Sequence, residues 1–372
     1  MVMTKLIDQF VIFLTYSFVK MINMQSTSPA ASPSISSQIP LLNRELGALE
    51  FNSRVLAQAE DPKTPLLERL RFICIVSSNM DEFFEIRMSG IKEQLKNNPK
   101  NVTPDGLQIK KAYDIITKNA HALVARKFSL LQEDILPKLE KSGVKFFPSS
   151  EWTPSIKRWA KEFFEKELVP LLTPIALDPA HPFPKVINKS LNFLVTLEGK
   201  DSFGRKPTLA VVQAPRSLPR MVTLPEHLSP VPHGFVLLSS FIQTFVGELF
   251  QGMAVTGCHQ FRVTRNSDLF VSEDDITDLR SALQGELPTR HLGDAVRLEV
   301  TAQMPTELQE YLQKMEKLKD SDCYRVNGPV NLVRLVQIPD LVDIPKFKFK
   351  PHNPKQSIAG SPGETIFEKI SH

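Results

Sequence analysis

The sequence from residue 65 to residue 95 reads PLLERLRFICIVSSNMDEFFEIRMSGIKEQL and is the most distinctive stretch of the chain. Its first part places apolar residues on one face of a helix, at Leu66, Leu70, Ile73 and Cys74. Pro65 stands in front of them, and proline is tolerated at a first helical position because its missing N–H would have no partner there. The pattern predicts an amphipathic helix that begins near Leu66.

The middle of this stretch, SSNMDEFF at residues 77–84, predicts a second helix start. Asn79 is followed three residues later by Glu82, which resembles a capping box, and Asp81 and Glu85 would complement the positive end of the helix dipole. Two interpretations of Asn79 stay open. It is either a structural cap or a short amide that offers a donor and an acceptor to the edge of a purine. Carboxylates are ordinary in a first helical turn, so no metal site is assigned to them.

The first half of the folded chain is predicted to be helical. Helical patterns follow three Thr-Pro pairs, at residues 64–65, 103–104 and 153–154, and each threonine is predicted to be an N-cap. An earlier helix is predicted to start near Asn43, and Pro137 perturbs the long pattern that follows residue 104. Because Ser142-Gly143 is typical of a helix end, residues 41–143 are interpreted as an all-helical domain.

The pattern changes from about residue 144. Runs typical of strands occur at residues 191–198, 208–214, 234–238, 258–264 and 295–301. Helical patterns lie between and after them, at residues 240–250, 273–283 and 306–319. This mixture predicts an α+β domain over residues 144–345, so the whole chain is expected to be an α+β multidomain protein.

Two short motifs are interpreted as structural. Gly199 and Gly204 have the spacing of a phosphate-binding loop, but the chain leads into another strand instead of a helix, so a hairpin connection is predicted. The HPFP sequence at residues 181–184 is interpreted as a rigid turn. Asp178 could orient His181 for base catalysis, but no nucleophile motif accompanies the pair.

The two ends of the chain differ from the folded part. Residues 10–19 are a short apolar run, and residues 25–40 are rich in serine and proline without a charge, so residues 1–40 are predicted to be a disordered leader. A translation-start extension, a membrane-associating segment and a cleaved signal stay open for the apolar part. Residues 346–372 begin as a lysine- and proline-rich linker.

The amino-acid composition argues against nucleic-acid binding and against a zinc site. The 45 basic and 41 acidic residues give a net charge of +4, which does not favour nucleic-acid binding. Phenylalanine dominates the aromatic residues, with 24 Phe against 4 Tyr and 2 Trp, and a base-stacking surface is therefore not expected. Three separated cysteines and scattered histidines predict reduced thiols in a cytoplasmic protein and no zinc site.

Several segments together resemble a known family. They are LNREL (42–46), FNSRVL (51–56), residues 65–95, LDPAHPFPKVINKSLNFLV (177–195), FRVTRNSDL (261–269) and VRLEV (296–300). These resemble the N-terminal and head domains of bacterial polyphosphate kinase, and the resemblance covers the chain from about residue 40 onward. It implies reversible transfer of the terminal phosphate of ATP to inorganic polyphosphate through a phosphohistidine, with Mg²⁺ as cofactor. It also implies homo-oligomers formed through the head domain.

The resemblance assigns one site residue. Within the SSNMDEFF motif, the asparagine that contacts the nucleotide base corresponds to Asn79. Residues 366–372, IFEKISH, look like the start of the family's first catalytic domain, so the catalytic histidines and the Mg²⁺ ligands are expected beyond residue 372. The sequence is therefore expected to be a truncated polyphosphate kinase that is inactive alone. The alternative is a non-catalytic dimerisation module, and peripheral association with the inner membrane stays open.

Overall fold

The computed structural model describes residues 41–178, 180–201, 204, 208–267, 293–352 and 365–371. The predicted leader over residues 1–40 and the predicted helix over residues 273–283 lie outside the described residues, as does most of the linker. The chain after Leu41 forms one compact unit.

The first region is helical, as its sequence predicts. Its α-helices are α1 (Arg44–Glu60), α2 (Leu66–Glu82), α3 (Ser89–Asn97), α4 (Ile109–Ser129) and α5 (Leu136–Lys141). Asn43 caps α1, since its side-chain oxygen accepts from the N–H groups of Glu45 and Leu46 at 3.1 and 3.0 Å. A π-helical segment, Phe83–Met88, joins α2 to α3 without a break.

A second π-helical segment, Leu130–Ile135, joins α4 to α5. Pro137 lies just beyond it, in the first turn of α5. Because proline has no N–H to donate, the ordinary helical hydrogen bond is lost there, and the backbone widens by one residue before it. The predicted perturbation by Pro137 is confirmed.

Only one of the three Thr-Pro pairs caps a helix through its threonine. Thr153 accepts a hydrogen bond from the N–H of Ile156 at 3.3 Å at the start of α6 (Pro154–Phe163). The expected caps at Thr64 and Thr103 are wrong. Pro65 itself occupies the cap position of α2, and the Thr103 hydroxyl donates to the Leu107 carbonyl in a turn that precedes α4.

The second region is built on two sheets. Its strands are β1 (Val144–Phe146), β2 (Thr173–Ala176), β3 (Leu191–Gly199), β4 (Leu209–Ala214), β5 (Met221–Thr223), β6 (His233–Leu237), β7 (Met253–Arg265), β8 (Ala295–Thr301) and β9 (Cys323–Val326). A six-stranded sheet has the order β2-β4-β3-β7-β8-β9, and a three-stranded sheet has the order β1-β6-β5. The helices that follow are α7 (Leu238–Phe245), α8 (Thr306–Met315), α9 (Ile338–Leu341) and α10 (Ile366–Ser371). The α+β prediction is confirmed.

The glycine pair at residues 199 and 204 belongs to a hairpin, as expected. β3 and β4 pair antiparallel, with Leu191 opposite Ala214, so the chain between them turns back on itself. Gly199 has a φ of +110°, a conformation that residues with a side chain rarely adopt.

The six-stranded sheet is covered on both faces. One face carries Phe261, Val263 and Leu298, which pack with Leu312 of α8. The neighbouring positions Arg262 and Arg297 are also buried, at 3% and 1% exposure, although their residue type favours solvent. In the part of the chain that the structure describes, no helix is long and apolar enough to span a bilayer.

Candidate functional site

Asn79 lies inside a helix and not at its start. It is half-buried near the C-terminal end of α2, and the helical run continues through Phe83–Met88 into α3. The prediction that Asn79 caps a helix is therefore wrong. The prediction that Asp81 and Glu85 complement the positive end of a helix dipole is also wrong, because no helix starts at Asn79. Met80 and Phe84 continue the buried helical face across the SSN sequence, and burial of this face outweighs the preference of asparagine for a cap.

One neighbour fixes the orientation of the Asn79 amide. The amide nitrogen of Asn52 donates to the Ala48 carbonyl at 2.9 Å, which leaves the Asn52 oxygen as an acceptor. Asn79 donates to this oxygen at 2.9 Å through Nδ2. Its Oδ1 and its second amide hydrogen have no partner among the described residues. Half-buried Asn79 therefore retains one acceptor and one donor without a partner among the described residues.

The surface around Asn79 is partly apolar. Ile75, one turn earlier on α2, is 38% exposed, and Phe51 beside Asn52 on α1 is 51% exposed. A cavity of about 590 Å³ lies between the start of α1 and the run from Phe83–Met88 into α3, and its charged lining residues include Arg44 and Arg87. Asn79 itself does not line this cavity.

Two residues after Asn79, Asp81 enters a buried charge cluster, which we define as Asp81, Lys127, Arg262, Arg297 and Glu299. The Asp81 carboxylate accepts two hydrogen bonds from the Arg262 guanidinium, at 2.8 and 2.9 Å, and one from Arg297 at 2.6 Å. Arg262 lies on β7 and Arg297 on β8, so these bonds join α2 to the six-stranded sheet. Such two-pronged Arg–carboxylate contacts are short and directional.

Glu299 completes the pairing from the sheet side. Its carboxylate accepts from Arg262 Nε at 2.6 Å and lies 3.2 Å from Arg297 Nη2. The Thr264 hydroxyl accepts from Arg297 Nη2 at 3.0 Å, and the Arg297 guanidinium lies 4.3 Å from the centre of the Phe84 ring. Each guanidinium is thus satisfied by carboxylate, hydroxyl or aromatic partners.

The pKa shifts follow from these contacts. Burial alone raises the pKa of Asp81, but the charges and hydrogen bonds of Arg262 and Arg297 outweigh it and lower the pKa to about 2. The pKa of Glu299 is lowered by the same two arginines against its burial. Burial lowers the pKa of the Lys127 ammonium to about 8. Lys127 is 3% exposed and adds a positive charge to two acids and two arginines that balance each other.

The same helical run makes further polar contacts with the sheet region. Glu85 accepts from the Asn188 amide at 2.7 Å and from the Lys189 ammonium at 2.6 Å. Lys92 lies 2.9 Å from the carboxylate of Asp322. Asp81 and Glu85 therefore position the second region, and they do not converge on a common metal position.

The other candidate residues from the sequence analysis are not members of the buried charge cluster. His181 lies 3.3 Å from Asp178 in an exposed turn after β2, where the structural interpretation of HPFP is retained. Cys74 and Cys323 are buried free thiols, and burial raises the pKa of each to about 12. Within the described ranges, no group of three or more metal-binding side chains comes together.

The sequence did not point to the partners of Asn79 and Asp81. Asn52 is 27 residues from Asn79, and Arg262 is 181 residues from Asp81. The sequence carried a signal for the strands at residues 258–264 and 295–301, which the structure confirms, but none for the burial of their polar residues.

The geometry defines a helical region joined by buried ion pairs to an α+β region. Two family models match the chain: the polyphosphate kinase N-terminal domain over residues 41–147 and the polyphosphate kinase middle domain over residues 155–338. The chain therefore belongs to the polyphosphate kinase family, of which it carries these two domains. The sequence-based resemblance is confirmed.

Individual relatives agree with the family models. Polyphosphate kinase from Burkholderia cenocepacia is 58% identical over 336 residues, which are 90% of this chain and 49% of the relative. The one from Paraburkholderia phytofirmans is 58% identical over 317 residues, 85% of this chain and 46% of the relative. The crystal structure of polyphosphate kinase from Porphyromonas gingivalis has the same fold, with a TM-score of 0.71 at 23% identity, over 90% of this chain and 46% of that one. The chain spans about half the length of these relatives.

The charge cluster leads to a stability prediction. We expect Asp81→Asn to lower the free energy of unfolding by about 3–5 kcal/mol, because two buried guanidinium groups lose their main partner. The wild type should also lose stability as the pH falls from about 4 towards 2, since Asp81 is protonated in the unfolded chain before the folded one. Denaturant titrations of both proteins across this pH range measure the difference.

The control for this prediction is Glu165→Gln, which removes one charge from the exposed pair that Glu165 forms with Lys161 at 3.6 Å. It should leave the unfolding midpoint nearly unchanged. If Asp81→Asn is as stable as this control, the cluster does not hold the two regions together.

Proposed function

We propose that this chain acts in ATP-dependent synthesis of inorganic polyphosphate. In this proposal the chain binds the adenine base of ATP and forms the folded surroundings of that base. The observation that carries the proposal is the unpartnered donor and acceptor of half-buried Asn79, whose amide is held by Asn52. The names and family of the relatives support the reaction class.

The chemistry of the adenine edge fits this amide. Adenine presents an amino donor next to a ring-nitrogen acceptor, and an asparagine amide can bind both at once. Apolar surface at Ile75 and Phe51 lies on the same two helices and would suit the face of the purine ring. A neutral hydrogen bond contributes about 1 kcal/mol, whereas a millimolar Kd requires about 4 kcal/mol, so this contact alone gives binding weaker than about millimolar.

We further propose that the described residues do not themselves transfer the phosphoryl group. His121 is stacked on Tyr324 at a ring distance of 3.9 Å, with its Nε2 2.9 Å from the Ser321 carbonyl, which suits a structural role. His181 is exposed in its turn. Mg²⁺ would enter with the phosphates of ATP, because phosphate oxygens are among its preferred ligands. When bound, the ion would neutralise charge on the transferring group.

The role of Asn79 can be tested by nucleotide binding. We expect Asn79→Ala to raise the Kd for ATP about three- to tenfold, since up to two hydrogen bonds are lost. Asn79→Asp should weaken ATP binding at least as much, because a carboxylate has no donor for the ring nitrogen and faces the Asn52 oxygen. Ligand-observed NMR titrations at one salt concentration measure both values.

Ser78→Ala is the matched control, because Ser78 is the exposed neighbour of Asn79 on the same turn. It should bind ATP as the wild type does. The contradicting result has two parts: Asn79→Asp binds ATP as tightly as the wild type, and Asn79→Ala only lowers the melting temperature. Asn79 would then have a structural role and would not bind the nucleotide.

The second candidate function is a non-catalytic module that self-associates. The observation that favours it is the edge strand β2, which leaves Ile175 42% exposed and follows Leu171, which is 47% exposed. An exposed apolar edge can pair with the same strand of a second copy.

One set of assays distinguishes the two candidates. The first predicts ATP binding that depends on Asn79, with no polyphosphate synthesis above background by residues 1–372 alone. The second predicts a concentration-dependent dimer by light scattering that Ile175→Lys abolishes, with Lys157→Ala on exposed α6 surface as the control. Radiolabelled polyphosphate formed by homogeneous protein would contradict the proposal that these residues do not themselves transfer the phosphoryl group.

A further inference from the structure

A group of arginines lies where the two sheets are connected. Arg216 and Arg220 belong to the connection between β4 and β5, which links the six-stranded sheet to the three-stranded one. Arg334 belongs to the 3₁₀ helix Leu332–Gln337, which packs against α2. We call these three residues the arginine cluster.

Arg220 is buried without an acid. It is 7% exposed, and among the described residues its side chain makes one hydrogen bond, a long one from Nη2 to the Ala214 carbonyl at 3.4 Å. Its Nε and Nη1 are buried and have no hydrogen-bond partner in the part of the chain that the structure describes. Burying a charged group without compensation is costly, and such orphaned donors are uncommon in folded proteins.

The other buried arginines of the described residues each pair with a carboxylate, unlike Arg220. Arg69 pairs with Asp134, Arg262 and Arg297 pair with Asp81, and Arg265 pairs with Glu316 at 2.8 Å. Among the described buried arginines, Arg220 alone has no carboxylate partner. The fold therefore neutralises its buried guanidinium groups elsewhere and leaves this one without a negative charge.

The neighbours of Arg220 add positive charge. Burial, together with the charges of Arg334 and Arg216, lowers the pKa of Arg220 to about 10. Arg216 donates to the Asn188 carbonyl, and the acid that contacts Asn188, Glu85, is already paired with Lys189 at 2.6 Å. In the described part of the chain neither Arg216 nor Arg334 forms an ion pair. Arg216 is exposed and Arg334 is half-buried, so the cluster reaches the surface.

We propose that Arg216, Arg220 and Arg334 form a binding site for a phosphate-bearing anion. Guanidinium groups match phosphate oxygens with paired hydrogen bonds, and a dianion would supply the acceptors that Nε and Nη1 of Arg220 lack. The site shares no residue with the one proposed around Asn79, and anion binding there does not depend on the function proposed above. The anion is either a phosphate chain without a base or the phosphate part of a nucleotide, and the experiment distinguishes these sources.

The test compares Arg220→Gln with the wild-type chain by calorimetric titration of sodium tripolyphosphate and, separately, of ATP, at low salt. We expect the Kd for tripolyphosphate to rise at least tenfold in Arg220→Gln, and Arg220→Lys should fall between the two. An unchanged Kd for ATP would identify a base-free phosphate chain as the ligand, whereas an equal loss would identify the nucleotide phosphates.

Thermal unfolding gives an independent readout that a structural role would not reproduce. Without added anion, Arg220→Gln should melt no lower than the wild type, because it removes an unpaired buried charge. Tripolyphosphate should raise the melting temperature of the wild type and not of this variant.

Two controls separate this site from general charge effects and from Asn79. Arg158→Gln removes an exposed arginine on α6 and should leave tripolyphosphate binding unchanged. Asn79→Ala should also leave it unchanged, whatever its effect on ATP. Tripolyphosphate affinity within twofold of wild type in Arg220→Gln, or an equal loss in Arg158→Gln, would overturn the proposal.

Discussion

The carboxylate of Asp81 is the point on which the arrangement of the two regions depends. It is buried between the guanidinium groups of Arg262 and Arg297, at distances of 2.6–2.9 Å. A lone buried charge would be very unfavourable, so each of these groups requires the others to be in place. α2 can therefore dock on β7 and β8 in only one register. Asn79, two residues earlier on the same helix, takes its position from this contact.

Buried ion pairs of this kind provide specificity more than net stability. Replacing them with apolar residues can be neutral or stabilising, whereas removing one member is strongly destabilising. Lys127 illustrates the cost, since burial lowers its pKa to about 8. The apolar core continues around the cluster, with Phe84 packed edge-on against Tyr324 at 5.3 Å. The core supplies the attraction between the regions, and the charges select how they fit together.

The sequence predicted much of the local structure. β8 runs from Ala295 to Thr301 as predicted, and α1 begins at Arg44, next to the predicted start at Asn43. These predictions succeeded because the signals lie within a few residues of one another. The family resemblance was also evident from the sequence, and the domain models agree with it.

The site could be predicted only in part. SSN at residues 77–79 resembles a helix start, but tertiary burial of Met80 and Phe84 keeps the backbone helical through it. Arg262 and Glu299 alternate with apolar residues along their strands, as solvent-facing residues do, and the helix that covers them is far away in sequence. The unpaired state of Arg220 likewise depends on which acids are absent nearby, and no sequence pattern records that.

A double-mutant cycle between Asp81 and Arg262 tests the central claim most directly. The free energy of unfolding is measured for the wild type, Asp81→Asn, Arg262→Met and the double variant. If the buried pair fixes the two regions, the double variant should be more stable than the sum of the single changes predicts, by about 2 kcal/mol or more. Single effects that add within about 0.5 kcal/mol would contradict this account.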